Sequence, residues 1–212
     1  MLTLVALTMA LGSLRIQIHD YANVPCRMLA RASESVTATY EKVGVQTEWI
    51  GLVRHGKRAV AVRRSDGASQ DQIAPLTIII LTPAMAARGG IPNDVLGLAA
   101  VAADGTGRIA YVTYDRVRNV AWQAAIRDDD LLGYVMSHEI GHLLLPSGSH
   151  DTEGLMRPDW AVRELTSVDV LKLEFSQFQA SQIRGAVERR HPDAPAAGLS
   201  ADKRSLWIGP SC

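Results

Sequence analysis

Apolar and polar side chains alternate over residues 14–18 (Leu-Arg-Ile-Gln-Ile), the period of a strand with one buried face. Residues 20–23 read as the turn after it. Pro25 then stands where a first helical turn tolerates proline, and Met28, Leu29, Ala32, Val36 and Tyr40 follow at helical spacing, so the pattern predicts a helix over 24–43 closed by Gly44. Alternation resumes at 45–53 as a second strand. Residues 54–72, rich in Arg, Gly, Ser and Asp, read as a solvated loop or hairpin with a short strand at 58–62. The run LTIIIL at 76–81 is continuously apolar and β-branched, which suits a central strand covered on both faces.

Two apolar stretches, 95–103 and 108–114, flank Asp104-Gly105-Thr106-Gly107 and predict a hairpin. Asp128, Asp129 and Asp130 put negative charge where a helix N-terminus favours it, and the helix they open should run to about Leu145, where Pro146 stops it. Residues 151–161 are turn-like and 165–173 fit either a loop or a short helix. Ser176 is placed to cap a last helix over 177–189, with Phe178, Ile183 and Val187 as its apolar positions. From residue 191 onward Pro, Ala, Gly and Ser dominate, and 191–212 is expected to be a poorly ordered tail.

Composition adds limits. A chain of 212 residues, 47% hydrophobic and 21% charged, suits one domain, expected over 14–190. Its 22 basic and 22 acidic side chains cancel, so no charge field points to nucleic acid; Arg54, Lys57, Arg58, Arg63 and Arg64 lack aromatic partners and read as a solvated loop. The two cysteines, Cys26 and Cys212, allow one bridge but neither a disulfide framework nor a cysteine-based zinc cluster. Residues 1–13 resemble the apolar part of a truncated secretory signal without the usual basic start, or else form a first buried strand or a frayed hydrophobic N-terminus; they are too short to span a bilayer as a helix. The first reading implies a secreted or periplasmic protein, the second a cytoplasmic one. No transmembrane span is expected.

Candidate chemistry is concentrated in YVMSHEIGHLLLPSGSH, residues 134–150. His138 and His142 lie four apart on the predicted helix and share a face, so both imidazoles can converge on one cation. Glu139 beside the first of them can reach a water at that cation without taking a coordination position, the place of a general base. Zn²⁺ with three protein ligands and an open fourth position lowers the pKa of a water from about 16 toward about 7. A carboxylate can then take the proton and return it to a leaving amine. Val135, Met136, Ile140, Leu143, Leu144 and Leu145 make the helix apolar around these groups, which would be costly to bury without such a role. His150 follows beyond Pro146 and Gly148, where a loop can return it to the cation; Asp151 or Glu153 is the alternative third ligand.

The segment 138–158, HEIGHLLLPSGSHDTEGLMRP, resembles the metzincin zinc metallopeptidases, and within them the matrixin-like pattern H-E-x-x-H-x-x-G-x-x-H followed by a turn with a methionine beneath the zinc. By this resemblance His138, His142 and His150 are the ligands of one catalytic Zn²⁺, Glu139 the base, and Met156 the methionine of the turn. The chain departs from the pattern where Leu145 replaces the turning glycine and where two extra residues precede His150. Arg157 stands where several metzincins carry a tyrosine, so no tyrosine is assigned to the metal.

The resemblance implies an α+β fold: one zincin-like domain with a small mixed twisted sheet, an edge hairpin, a long first helix, the active-site helix and a C-terminal helix. It implies a zinc endopeptidase acting on peptide or protein substrates, expected to be monomeric. In the family an edge strand pairs with extended substrate, and 109–114 (IAYVTY), with Tyr111, Val112 and Thr113, is the candidate, or else an ordinary edge strand. The competing function is a zinc-binding scaffold or interaction domain without turnover; a third reading takes HEIGH as accidental. His19, His55 and His191 read as surface residues, and Trp49, Trp122, Trp160 and Trp207 as packing residues.

Overall fold

A computed structural model describes residues 13–55, 74–102, 105–146, 149–158 and 173–190. In chain order these form β1 (Ser13–Asp20), α1 (Cys26–Lys42), β2 (Gln46–Arg54), β3 (Leu76–Leu81), α2 (Pro83–Arg88), β4 (Gly97–Val101), β5 (Gly107–Thr113), α3 (Tyr114–Ala124), α4 (Asp128–Leu144) and α5 (Gln177–Arg190). The five strands make one mixed sheet in the order β2-β1-β3-β5-β4. β1 is parallel to β2 and β3, β3 is parallel to β5, and only β4 runs antiparallel, against β5. The α+β expectation holds.

β1 turns Leu14, Ile16, Ile18 and Asp20 inward with strict alternation, as its period-two pattern requires. Together with Ile78, Ile80, Ala110 and Val112 they form the sheet side of the core, on which Leu29, Ala32, Val36 and Tyr40 of α1 and Leu132, Met136 and Ile140 of α4 pack. α1 and α4 approach closely because Gly133 carries no side chain: a Cβ there would lie 2.7 Å from the Ser35 Cβ. The Tyr40 hydroxyl, fully buried, donates to the Ser137 carbonyl at 3.0 Å and ties α1 to α4 one residue before His138. Burial raises its pKa well above the ordinary phenol value.

The strand pattern, both long helices and α5 lie where the sequence places them. The hairpin forms, but its outer strand is β4: β5, with Tyr111, Val112 and Thr113, is paired on both sides, by β3 and β4. The expectation that 109–114 is the edge is therefore corrected, because β3 pairs in parallel with β5 and leaves β4 outermost. α2 and α3 were not expected. Thr82 caps α2 by accepting from the Met85 N–H at 3.2 Å, and Tyr114, Val117, Ala121 and Ala124 give α3 a helical stripe. The readings made for 1–12, for the short strand at 58–62, for 165–172, for the tail, and for the Cys212 side of a bridge to Cys26 lie outside the described residues. Among the described residues no helix is long and apolar enough to cross a membrane.

Candidate metal centre

α4 starts on its acidic turn. Burial opposes the charge of Asp129, but Arg127 and Arg31 more than offset it and hold the carboxyl below the usual range. The helix ends where Leu145 takes an extended backbone (φ −92°, ψ 157°) ahead of Pro146. A residue before proline is driven into this region, so the chain leaves the helix at Leu145 without the left-handed glycine of the metzincin pattern.

One turn earlier, the His138 and His142 Nε2 atoms stand 2.9 Å apart. The His150 ring completes the group, with its centroid 4.6 Å from that of His142 and 5.6 Å from that of His138. One ligand nitrogen from each of the three lies within 4.8 Å of the others. The trio grades from buried His138 to exposed His150, so the centre opens to solvent on the His150 side. Burial pushes His138 down to about 4, only partly countered by the Leu155 carbonyl, and pushes His142, helped by its two neighbouring imidazoles, down to about 3. Both rings are thus neutral near pH 7, the form that binds metal.

The turn that follows orients the first ring. His138 Nδ1 lies 2.8 Å from the Leu155 carbonyl, so Nδ1 carries the proton and donates, which makes Nε2 the ligand atom. Leu155 is held by its own N–H to the Glu174 carbonyl (3.0 Å), and the turn is closed by the Asp151 N–H to the Met156 carbonyl (2.9 Å). Gly154 has φ +73°, and a Cβ there would lie 2.6 Å from the Glu174 oxygen, so both conformation and space call for glycine. Met156 is fully buried beneath α4, its Sδ 2.7 Å from where a Cβ would project from Gly141.

Asp151, the alternative ligand, is engaged elsewhere: its carboxylate accepts from the Thr152 N–H at 2.7 Å and from Gln179 Nε2 at 3.3 Å. Gln179 also closes a capping box at α5, accepting from the Ser176 N–H while its own N–H donates to Ser176 Oγ. Through Gln179 the start of α5 steadies the segment that carries His150. The sequence signal was present as Ser176-x-x-Gln179, but nothing in it announced the link to Asp151.

Glu139 is buried between α4 and the edge strand. Burial pushes its carboxyl up to about 8, against the opposing effect of the Ala99 N–H, which it accepts. A cation held by the adjacent His138 would favour the ionised form. Gly97 of β4 makes this placement possible, because a Cβ there would stand 2.5 Å from Glu139 Oε1. Gly97 and Ala99 were not foreseen as part of the site; their role depends on which strand is outermost.

His19 and His55 are half-buried and meet each other, contrary to their reading as surface residues, while His191 lies outside the described residues. Trp49 packs on the core and donates to Thr37 Oγ1 at 3.0 Å, whereas Trp122 is 82% exposed and does not pack.

No protein-family model matches the chain, and no curated protein matches it. Among solved structures it is similar to an archaemetzincin from Methanopyrus kandleri, with a TM-score of 0.50 and 14% identity over 84% of this chain and 97% of that one. It also aligns with metalloproteinase-II from Bacteroides fragilis, with a TM-score of 0.49 and 12% identity over 84% of this chain and 54% of that one. The likeness to the archaemetzincin is one of fold.

Proposed function

We propose that the chain is a zinc-dependent endopeptidase of metzincin type, with 14–190 as its catalytic domain. The observation that carries this reading is the convergence of His138, His142 and His150, their ligand nitrogens within 4.8 Å of one another, beside a buried glutamate. The donor set fits zinc: three imidazoles, the first oriented through its second nitrogen, with solvent access on one side for an open position. The fold shared with an archaemetzincin supports the same reading.

Zinc, when bound, would supply a Lewis acid that polarises the scissile carbonyl and acidifies a water. Glu139 takes the proton from the attacking water and returns it to the leaving amine, which requires no covalent enzyme intermediate. The Ala99 N–H holds the carboxylate toward β4, so base and edge strand are positioned together. Among the described residues β4 is the outer strand on this side of the sheet, and its edge offers backbone groups to an extended peptide, which would lie alongside Glu139.

Glu139→Gln is expected to lower kcat by about 10²–10⁴-fold while leaving zinc bound at the three-histidine centre. Peptide-cleavage assays on metal-loaded protein, with metal analysis of the same samples, test this. Undiminished cleavage by the variant would remove Glu139 as the base. Zinc bound by the wild type without hydrolysis of any peptide in a broad library would favour the scaffold function.

A further inference from the structure

A second pair of imidazoles meets far from the first in sequence, at the C-terminal ends of two adjacent parallel strands. His19 Nδ1 and His55 Nε2 are 3.3 Å apart, with ring centroids at 5.5 Å and ring planes 21° from parallel. Two nitrogens on one tetrahedral ion, at the usual zinc–imidazole bond length, stand about 3.3–3.4 Å apart. As a hydrogen bond from a ring N–H the separation is long.

The pair is held in place from several sides. β1 and β2 run in parallel register through Asp20 and Arg54, and the His55 N–H donates to the Asp20 carbonyl at 2.9 Å. The Tyr21 ring lies flat against His55, centroids 3.8 Å apart and planes 2° from parallel. Burial, with His55 close by, lowers the pKa of His19, which keeps its ring neutral and able to ligate. Beside the pair, buried Asp20 accepts from the Ala22 and Val24 N–H groups and faces Arg54, whose Nη2 donates to the Val24 carbonyl.

We propose that His19 and His55 form a second transition-metal site, separate from the HExxH centre, which takes a divalent ion such as Zn²⁺ on two imidazoles and completes its shell with water. With fewer protein ligands it binds more weakly than the three-histidine centre. The ion clips the end of β1 to the residue following β2, so its occupancy stabilises this corner of the sheet.

The test is calorimetric titration of the metal-stripped chain, free of any histidine tag, with Zn²⁺ alone, on the wild type, His19→Ala, His55→Gln and His142→Ala. The wild type should take two equivalents in two affinity classes. His19→Ala and His55→Gln should each lose the weaker equivalent and keep the tighter one, and the Zn²⁺-dependent rise in melting temperature above one equivalent should vanish in both. Circular dichroism identifies a variant that fails to fold, in which case the other carries the test. A wild type saturating at one equivalent that His142→Ala abolishes would overturn the second site while leaving the first intact. A weaker equivalent that survives in both His19→Ala and His55→Gln would also overturn it. His142→Ala should lose the tighter equivalent and keep the weaker one, whereas loss of the tighter equivalent in His19→Ala and His55→Gln would overturn the assignment of the weaker class to this pair.

Discussion

α1 and α4 are both 17 residues long and pack against each other, yet they meet the rest of the protein differently. α1 buries one stripe, Leu29, Ala32, Ser33, Val36 and Tyr40, and leaves Arg31, Glu34, Ala38 and Glu41 to solvent, as an amphipathic surface helix does. α4 is buried along nearly its whole length, including Ser137, His138 and Glu139. A supporting helix needs only one apolar face. A helix enclosed on every side gains nothing from polar residues at its centre unless they are satisfied or used, because each costs desolvation free energy. Ser137 Oγ, buried without a hydrogen-bond partner among the described residues, is a position that bears this cost. The enclosed helix is thus where structural cost and candidate chemistry coincide, and α1 is the element that braces it.

The contrast can be broken or sharpened by substitution. The largest effect should come from Leu132→Ala, which empties a fully buried position of α4 and should cost about 2–5 kcal/mol in chemical denaturation; Leu29→Ala on the stripe of α1 should fall in the same range. A much smaller loss at Leu132 would show that α4 is less enclosed than its burial indicates. Next, Gly97→Val should displace Glu139 from its place against β4 and reduce kcat by about 10²-fold, the scale of a misplacement of about 1 Å, with zinc content unchanged. Activity equal to wild type would separate the edge strand from the base.

Tyr40→Phe removes the brace to the Ser137 carbonyl and should cost about 0.5–1.5 kcal/mol, read by denaturant melts. Asp129 should leave a pH signature. Its carboxyl is held below the usual range in the folded chain, so its contribution is present above its unfolded-state pKa and is lost as pH falls through the lower folded-state value. Asp129→Asn should therefore flatten part of the acid limb of a stability-against-pH curve, and an unchanged limb would remove Asp129 from the account. The smallest effect belongs to the solvent face of α1: Glu34→Ala should change stability by less than about 0.5 kcal/mol. A comparable neutral site should be absent from the central turns of α4.

Local periodicity determined more of this protein than its low similarity to other chains would suggest. The alternation at 14–18, the apolar run Leu76–Leu81, the stripe of α1 and the spacing of His138 and His142 all act over one or two turns or pleats, where the backbone fixes which side chains share a face. Pro146 likewise ended α4 at a readable place. The resemblance named His150 and Met156, and the fold brings His150 to the other two histidines and puts Met156 beneath Gly141.

What tertiary structure alone decided are the neighbours that no local period encodes. Which strand of the hairpin is outermost depends on β3 pairing with β5, and with that choice Gly97 and Ala99 became the wall behind Glu139. The Leu155 carbonyl became a partner of His138 because a turn folds back under α4, and Gln179 reached Asp151 because α5 closes over the same turn. His19 and His55, 36 positions apart, meet because two parallel strands end side by side. A periodic pattern states which face a residue occupies, whereas contact across that face is set by strand order and register, which only the assembled sheet and the helices packed on it define.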